Sequence, residues 1–107
     1  MALSVIVLPE AESDLDLILA YVAEKDGQQR AAELVLALQE ACAKLAEFPH
    51  RGTVLTELSS VDPVEYRQVH YKPYRIIYEV AGERVFIHAV LDGRRDMETL
   101  LRQRLLR

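Results

Sequence analysis

Three arginines, Arg67, Arg75 and Arg95, lie in or directly after three successive strand-like segments of this 107-residue chain. A guanidinium does not titrate near neutral pH, so it makes a poor general base. Its planar fork binds phosphate or carboxylate through paired hydrogen bonds. If the segments pair as neighbouring antiparallel strands, the three side chains converge on one sheet face. There they could clamp an RNA phosphate and stabilise charge during cleavage, or hold acidic side chains of a protein partner. The competing reading is three unrelated surface arginines, with Arg75 paired to Glu65 or Glu79 and Arg95 to Asp92 or Asp96. The residues alone leave both readings standing.

Other chemistry is thinly represented. The sequence has no phosphate loop, dinucleotide fingerprint, HExxH motif or nucleophile elbow. His50 sits in a Pro-Gly turn, His70 near the end of an apolar segment, and His88 inside another, where it reads as a hydrogen-bonded interior residue. The single cysteine, Cys42, falls on an apolar helix face and reads as a small hydrophobe. No His, Cys and Asp spacing suits a metal, and no cofactor is implied. Tyr66, Tyr71, Tyr74 and Tyr78 could stack on bases beside Lys72 and Arg75, although strand tyrosines more often bury a ring and bond a hydroxyl at the rim. Leu17, Ala20 and Tyr21 form a second helical stripe, suited to helix packing or to docking a partner.

Several elements must position these groups. Leu3 to Leu8 is a β-branched apolar run and predicts a strand. Pro9 suits a helix start, and Glu10, Glu12 and Asp14 favour it through the helix dipole. Ala11, Leu15, Ile18, Leu19 and Val22 give that helix its apolar face, and Gly27 ends it. A second helix is predicted from Gln28 to about Glu47, facing inward with Ala31, Leu34, Val35, Leu38, Ala41, Cys42 and Leu45. So short a break makes the pair an antiparallel hairpin. Phe48 to Gly52 turns the chain, Val54 to Leu58 is a short edge segment or loop, and Ser59 to Pro63 is turn chemistry. From Glu65 the period becomes alternating. Tyr66–Tyr71, Tyr74–Val80 and Val85–Leu91 predict a three-stranded meander with its last strand central, and Pro73 stiffens the approach to Arg75. Asp96 is placed to cap a short last helix, Met97 to Leu106, with Arg102, Arg104 and Arg107 at its C-terminal end. The fold class is therefore α+β: an N-terminal strand, a helical hairpin packed on a twisted antiparallel sheet, and a short C-terminal helix, in one domain spanning residues 1–107.

The formal net charge of −4 conceals an asymmetry. Residues 1–65 carry four Lys/Arg against twelve Asp/Glu, a balance of −8, whereas residues 66–107 carry nine against five, a balance of +4. The basic part could face an anionic partner. Strong nonspecific nucleic-acid binding is not expected of a chain this acidic. The apolar runs are too short to span a membrane, and no secretory signal is visible, so a cytoplasmic protein is expected.

In order and spacing, these segments resemble toxins of the RelE/ParE superfamily from bacterial type II toxin–antitoxin systems. The resemblance is carried by the strand before Pro9, by Ala11…Asp14-Leu15…Ile18…Tyr21-Val22, and by Leu45…Phe48-Pro49…Gly52. Its most specific parts are Tyr74-Arg75-Ile76-Ile77-Tyr78-Glu79-Val80, Val85 to Val90, and Gly93-Arg94-Arg95-Asp96. The RelE branch cuts mRNA on the ribosome, and Arg67, Arg75 and Arg95 match its basic residues by position. Leu101 stands where that branch commonly has a tyrosine, Asp92 where many relatives have a histidine, and Val69 or His70 where a lysine is expected. These departures, the two long helices, the Arg95-Asp96 pair and the acidic charge make the chain more similar to the ParE branch.

That resemblance implies a growth-inhibiting, plasmid-stabilising toxin that poisons DNA gyrase by protein–protein contact rather than as an enzyme. It implies a cognate ParD-like antitoxin with a ribbon-helix-helix N-terminal part, and operator DNA bound only through that antitoxin. The residues expected to contact target or antitoxin are Arg67, Tyr74, Arg75, Arg94, Arg95, Asp96, Leu17 and Tyr21. The alternatives are a RelE-like endoribonuclease using Arg67, Arg75 and Arg95, and a degenerate, non-toxic homologue.

Overall fold

A computed structural model describes residues 2–56 and 64–106. The turn expected at Ser59–Pro63, the end of the Val54–Leu58 segment and Arg107 lie outside the described residues. In chain order the elements are β1 (Ser4–Val7), α1 (Pro9–Asp26), α2 (Gln28–Ala43), a 3-10 turn (Lys44–Ala46), β2 (Thr53–Val54), β3 (Arg67–Tyr71), β4 (Tyr74–Ala81), β5 (Arg84–Asp92) and α3 (Met97–Leu105). The architecture is α+β, as the alternation of periods predicts. Gly27 separates the two long helices at φ +95°, a conformation few other residues adopt. The second helix tightens into the 3-10 turn three residues before its expected end.

The five strands lie in the order β1-β5-β4-β3-β2. The meander β3-β4-β5 is antiparallel, and β5 is interior. Strand β1 joins it in parallel, Val5 opposite Val85 and Val7 opposite Ile87. The chain passes from β1 to its parallel neighbour β5 through the helical hairpin and strands β2 to β4, because parallel neighbours cannot be joined by a tight turn.

Both faces of the sheet are covered. The helical hairpin buries Ala11, Leu15, Leu38, Cys42 and Leu45 against Tyr74, Ile76, Tyr78, Val85, Ile87 and Val90. On the opposite face, Met97 and Leu101 of α3 pack with Ile77, Ala89, Leu91, Leu55 and Tyr66. Alternation alone puts Ile77 on a less protected side. The docking of α3 is what buries it completely. The register steps from Tyr78 opposite Ile87 to Ile77 opposite Ala89, so His88 is the extra residue of a bulge. The bulge inverts the phase of β5: Val85 and Ile87 face the hairpin before it, and Val90 after it. His88 shares a 2.7 Å hydrogen bond with Glu79 and meets the edge of the Tyr66 ring, as expected for an interior histidine.

Candidate functional site

Leu17 and Tyr21, one turn apart on α1, are 70% and 60% exposed although both are large and apolar. They form one wall of a cleft of about 360 Å³. Its other wall is Tyr74 at the start of β4, Val90 and Leu91 at the end of β5, and Arg95 on the following loop. A second cleft of about 480 Å³ shares Tyr21 and Tyr74 and runs to the hairpin tip, where Arg30, Lys72 and Arg94 line it with Asp26 and Glu33. The structure thus gathers five of the expected contact residues, Leu17, Tyr21, Tyr74, Arg94 and Arg95, around one groove.

Hydrogen bonds fix the cationic end of this groove. Asp92 accepts Arg94 Nη2 at 2.6 Å, Arg94 Nε at 3.0 Å and the Arg94 backbone N–H at 3.0 Å. The bonded guanidinium holds the Asp92 carboxyl below its ordinary range. The Gly93 N–H donates to the Pro73 carbonyl at 2.7 Å and ties this loop to the β3–β4 turn. Burial, reinforced by the Asp92 charge, pushes the Tyr74 hydroxyl up, so it stays a protonated donor at neutral pH. The expected local partners of Arg95 are hydrogen-bonded elsewhere: Asp92 holds Arg94 and feels Arg95 only through its charge, and Asp96 caps α3 by accepting the Thr99 N–H at 3.3 Å and its hydroxyl at 2.7 Å. Among the described residues the Arg95 guanidinium is in no ion pair, and it faces the cleft.

The arginine convergence does not form. Arg67 is opposite Tyr78 in the register, and directly opposed residues share a face, so Arg67 lies on the hairpin side. Its Nη1 donates to the Gly52 carbonyl at 2.8 Å, and its Nη2 pairs with Glu65 at 3.2 Å. Arg75 lies opposite Leu91, on the α3 side, where its Nε donates to Gln68 at 2.6 Å. Neither expected partner of Arg75 holds it in these bonds: Glu65 engages Arg67 and Glu79 engages His88. The strands therefore separate Arg67 and Arg75, while Arg95 faces the α1 groove.

Two polar devices escaped the reading of the sequence. The Tyr78 hydroxyl donates to the Pro49 carbonyl at 2.8 Å and accepts the Gly52 N–H at 3.0 Å, pinning the Phe48–Gly52 turn to the sheet. Asp14 and Arg104 close the edge of β5 beyond the end of β1. The readable signal was Asp14 itself, an acid three residues after Ala11 and four before Ile18, on the buried face.

The architecture is a helical hairpin over a sheet whose N-terminal strand runs parallel to its last. A solved structure titled "Chromosomal ParDE TA system from P. aeruginosa" superposes with a TM-score of 0.67 over 83% of this chain and 94% of that one, at 21% identity. Toxin ParE3 of Caulobacter vibrioides is 28% identical over 88 residues, 82% of this chain and 84% of that toxin. The sequence model of the family described as "ParE toxin of type II toxin-antitoxin system, parDE" matches residues 5–97, and the chain belongs to that family. It is the toxin of a ParDE-type system, which implies an antitoxin partner. Among the described residues no helix is long and apolar enough to cross a membrane.

Proposed function

We propose that this toxin acts in the cytoplasm as one domain spanning residues 1–107, poisons DNA gyrase by protein–protein contact, and is neutralised by the tail of its antitoxin. The observation that carries this reading is the groove where Leu17, Tyr21 and Tyr74 meet the Arg95 guanidinium. Apolar anchors beside a cation with no hydrogen-bonded carboxylate suit a protein segment that alternates apolar and acidic residues. An antitoxin tail that folds on the toxin is such a segment, and its ribbon-helix-helix part carries the complex to operator DNA. The basic last third carries Arg75, Arg94 and Asp96 at its surface and Arg67 on the hairpin face of β3, and it is the part of the chain offered to the topoisomerase. The nuclease alternative loses its physical basis as first framed, because one scissile phosphate cannot be gripped by Arg67 and Arg75 from opposite faces.

The test is purified toxin added to gyrase and supercoiled plasmid. Linear, protein-bound DNA accumulates at micromolar toxin, and equimolar antitoxin prevents it. Intact plasmid under those conditions, or codon-positioned mRNA cuts in a cell-free translation reaction, would overturn the reading.

A further inference from the structure

We propose that the cleft between α2 and the outer edge of β3 is a nucleotide site, in which Lys44 and Arg51 hold a phosphate ester and the Tyr71 ring takes its base. The cleft holds about 290 Å³ and is lined by Ala37, Glu40, Ala41 and Lys44 on one side and Arg51, Val69, His70 and Tyr71 on the other. Two of the four Lys/Arg in the acidic first 65 residues meet here. Neither is in an ion pair or side-chain hydrogen bond among the described residues. Surface cations in an acidic chain usually sit beside carboxylates, so two uncommitted ones in one concavity form a local anion trap.

Arg51 is also held in place. The Gly52 N–H is bonded to Tyr78, the Gly52 carbonyl to Arg67, and the Arg51 N–H to the Phe48 carbonyl at 3.2 Å. These bonds occupy the inward side of the turn and fix its backbone, so an anion arriving in the cleft has only the Arg51 side chain to order. Tyr71 is 39% exposed, and Ala37, Ala41 and Val69 give the cleft an apolar lining. A flat ring beside paired cations matches a base joined to its phosphate. Glu40, one helical turn before Lys44, is the opposing charge and limits the affinity. The ligand class is a phosphate ester bearing a base, either a free mononucleotide or a unit of a single strand. The site does not rest on the gyrase reading, and the two fail separately.

The experiment titrates the full chain at low salt with inorganic phosphate, with thymidine monophosphate and with a short fluorescein-labelled oligothymidylate, reading amide shifts and anisotropy. The monophosphate binds more tightly than phosphate, with shifts centred on Lys44, Arg51 and Tyr71. Whichever of monophosphate and oligothymidylate binds more tightly identifies the source. Arg51→Gln weakens binding about tenfold and, for the strand, lowers the salt slope by about 0.7. Glu40→Gln tightens binding, Tyr71→Leu weakens the monophosphate but not phosphate, and Arg84→Gln on the far hairpin changes nothing. No binding at millimolar ligand overturns the proposal. So does phosphate binding as tightly as the monophosphate, or Arg51→Gln and Glu40→Gln shifting affinity in the same direction while circular dichroism stays native.

Discussion

The Arg104 guanidinium in the last helix lies across the Asp14 carboxylate in the first, with hydrogen bonds of 2.8 and 3.0 Å. Each group also binds the sheet: Asp14 accepts the Val90 N–H at 2.9 Å, and Arg104 donates to the His88 carbonyl at 3.0 Å. β1 pairs with β5 only as far as Ile87, so the next edge groups of β5 would otherwise lack a strand partner. One ion pair satisfies two of them and joins α1, β5 and α3.

Breaking this pair destabilises the protein. Arg104→Ala leaves a carboxylate that is 12% exposed without its counter-ion, and the expected loss is about 3 kcal/mol. Urea unfolding measures it. Hydrogen exchange should show residues 97–105 opening before the meander, because α3 loses its polar tie while the hairpin core stays intact.

The turn lock gives a second expectation. Tyr78→Phe strands the buried Gly52 N–H and costs about 2 kcal/mol. Gly52→Ala is also destabilising, by about 2–3 kcal/mol, because a Cβ there would lie 2.6 Å from both the Gln68 carbonyl and the Tyr78 hydroxyl. Thermal unfolding of the two variants checks both values. Their effects should not add in the double variant, since the same turn is released.

Acid sensitivity follows from the loop carboxylates. Hydrogen bonds from Arg94 and Thr99 hold Asp92 and Asp96 below the ordinary value of 3.8. A lowered folded-state pKa contributes stability that is fully present above the unfolded value and is lost as pH falls through the folded one. Asp92→Asn and Asp96→Asn should therefore lower Tm by a constant amount above about pH 5, with the gap to the parent closing below about pH 3. Tm against pH for the three proteins tests the sign.

Burial pushes the Cys42 thiol up to about 11, and the residue is 2% exposed. Thiol reagents at pH 8 should leave the native protein unlabelled and react promptly in urea. Labelling of folded protein would show that the α2 core opens.

Much of this was legible because periodicity reports burial. The Ala11–Val22 and Ala31–Leu45 patterns gave the hairpin, and alternation at Tyr74, Ile76 and Tyr78 gave the inward face of β4. The arginine surface was misjudged because a side chain's face depends on strand parity. Val69 shares Arg67's parity and packs on the hairpin side, while Arg75 shares that of Ile77. The His88 bulge and the docking of α3 were not legible, since each depends on tertiary packing. The Asp14–Arg104 pair spans 90 residues of sequence, so the place of Asp14 on the buried helix face signals a partner without saying which.

The groove of Leu17, Tyr21, Tyr74 and Arg95, rather than an arginine cluster on the sheet, is the surface on which this account of the toxin depends. Titration calorimetry with the tail of its antitoxin tests that directly, on the parent and on Leu17→Ala/Tyr21→Ala, Arg95→Gln and Arg75→Gln variants. The account predicts that the double variant loses on the order of a hundredfold in affinity, Arg95→Gln about tenfold, and Arg75→Gln almost nothing. Unchanged affinity in the groove variants together with a large loss in Arg75→Gln would contradict it.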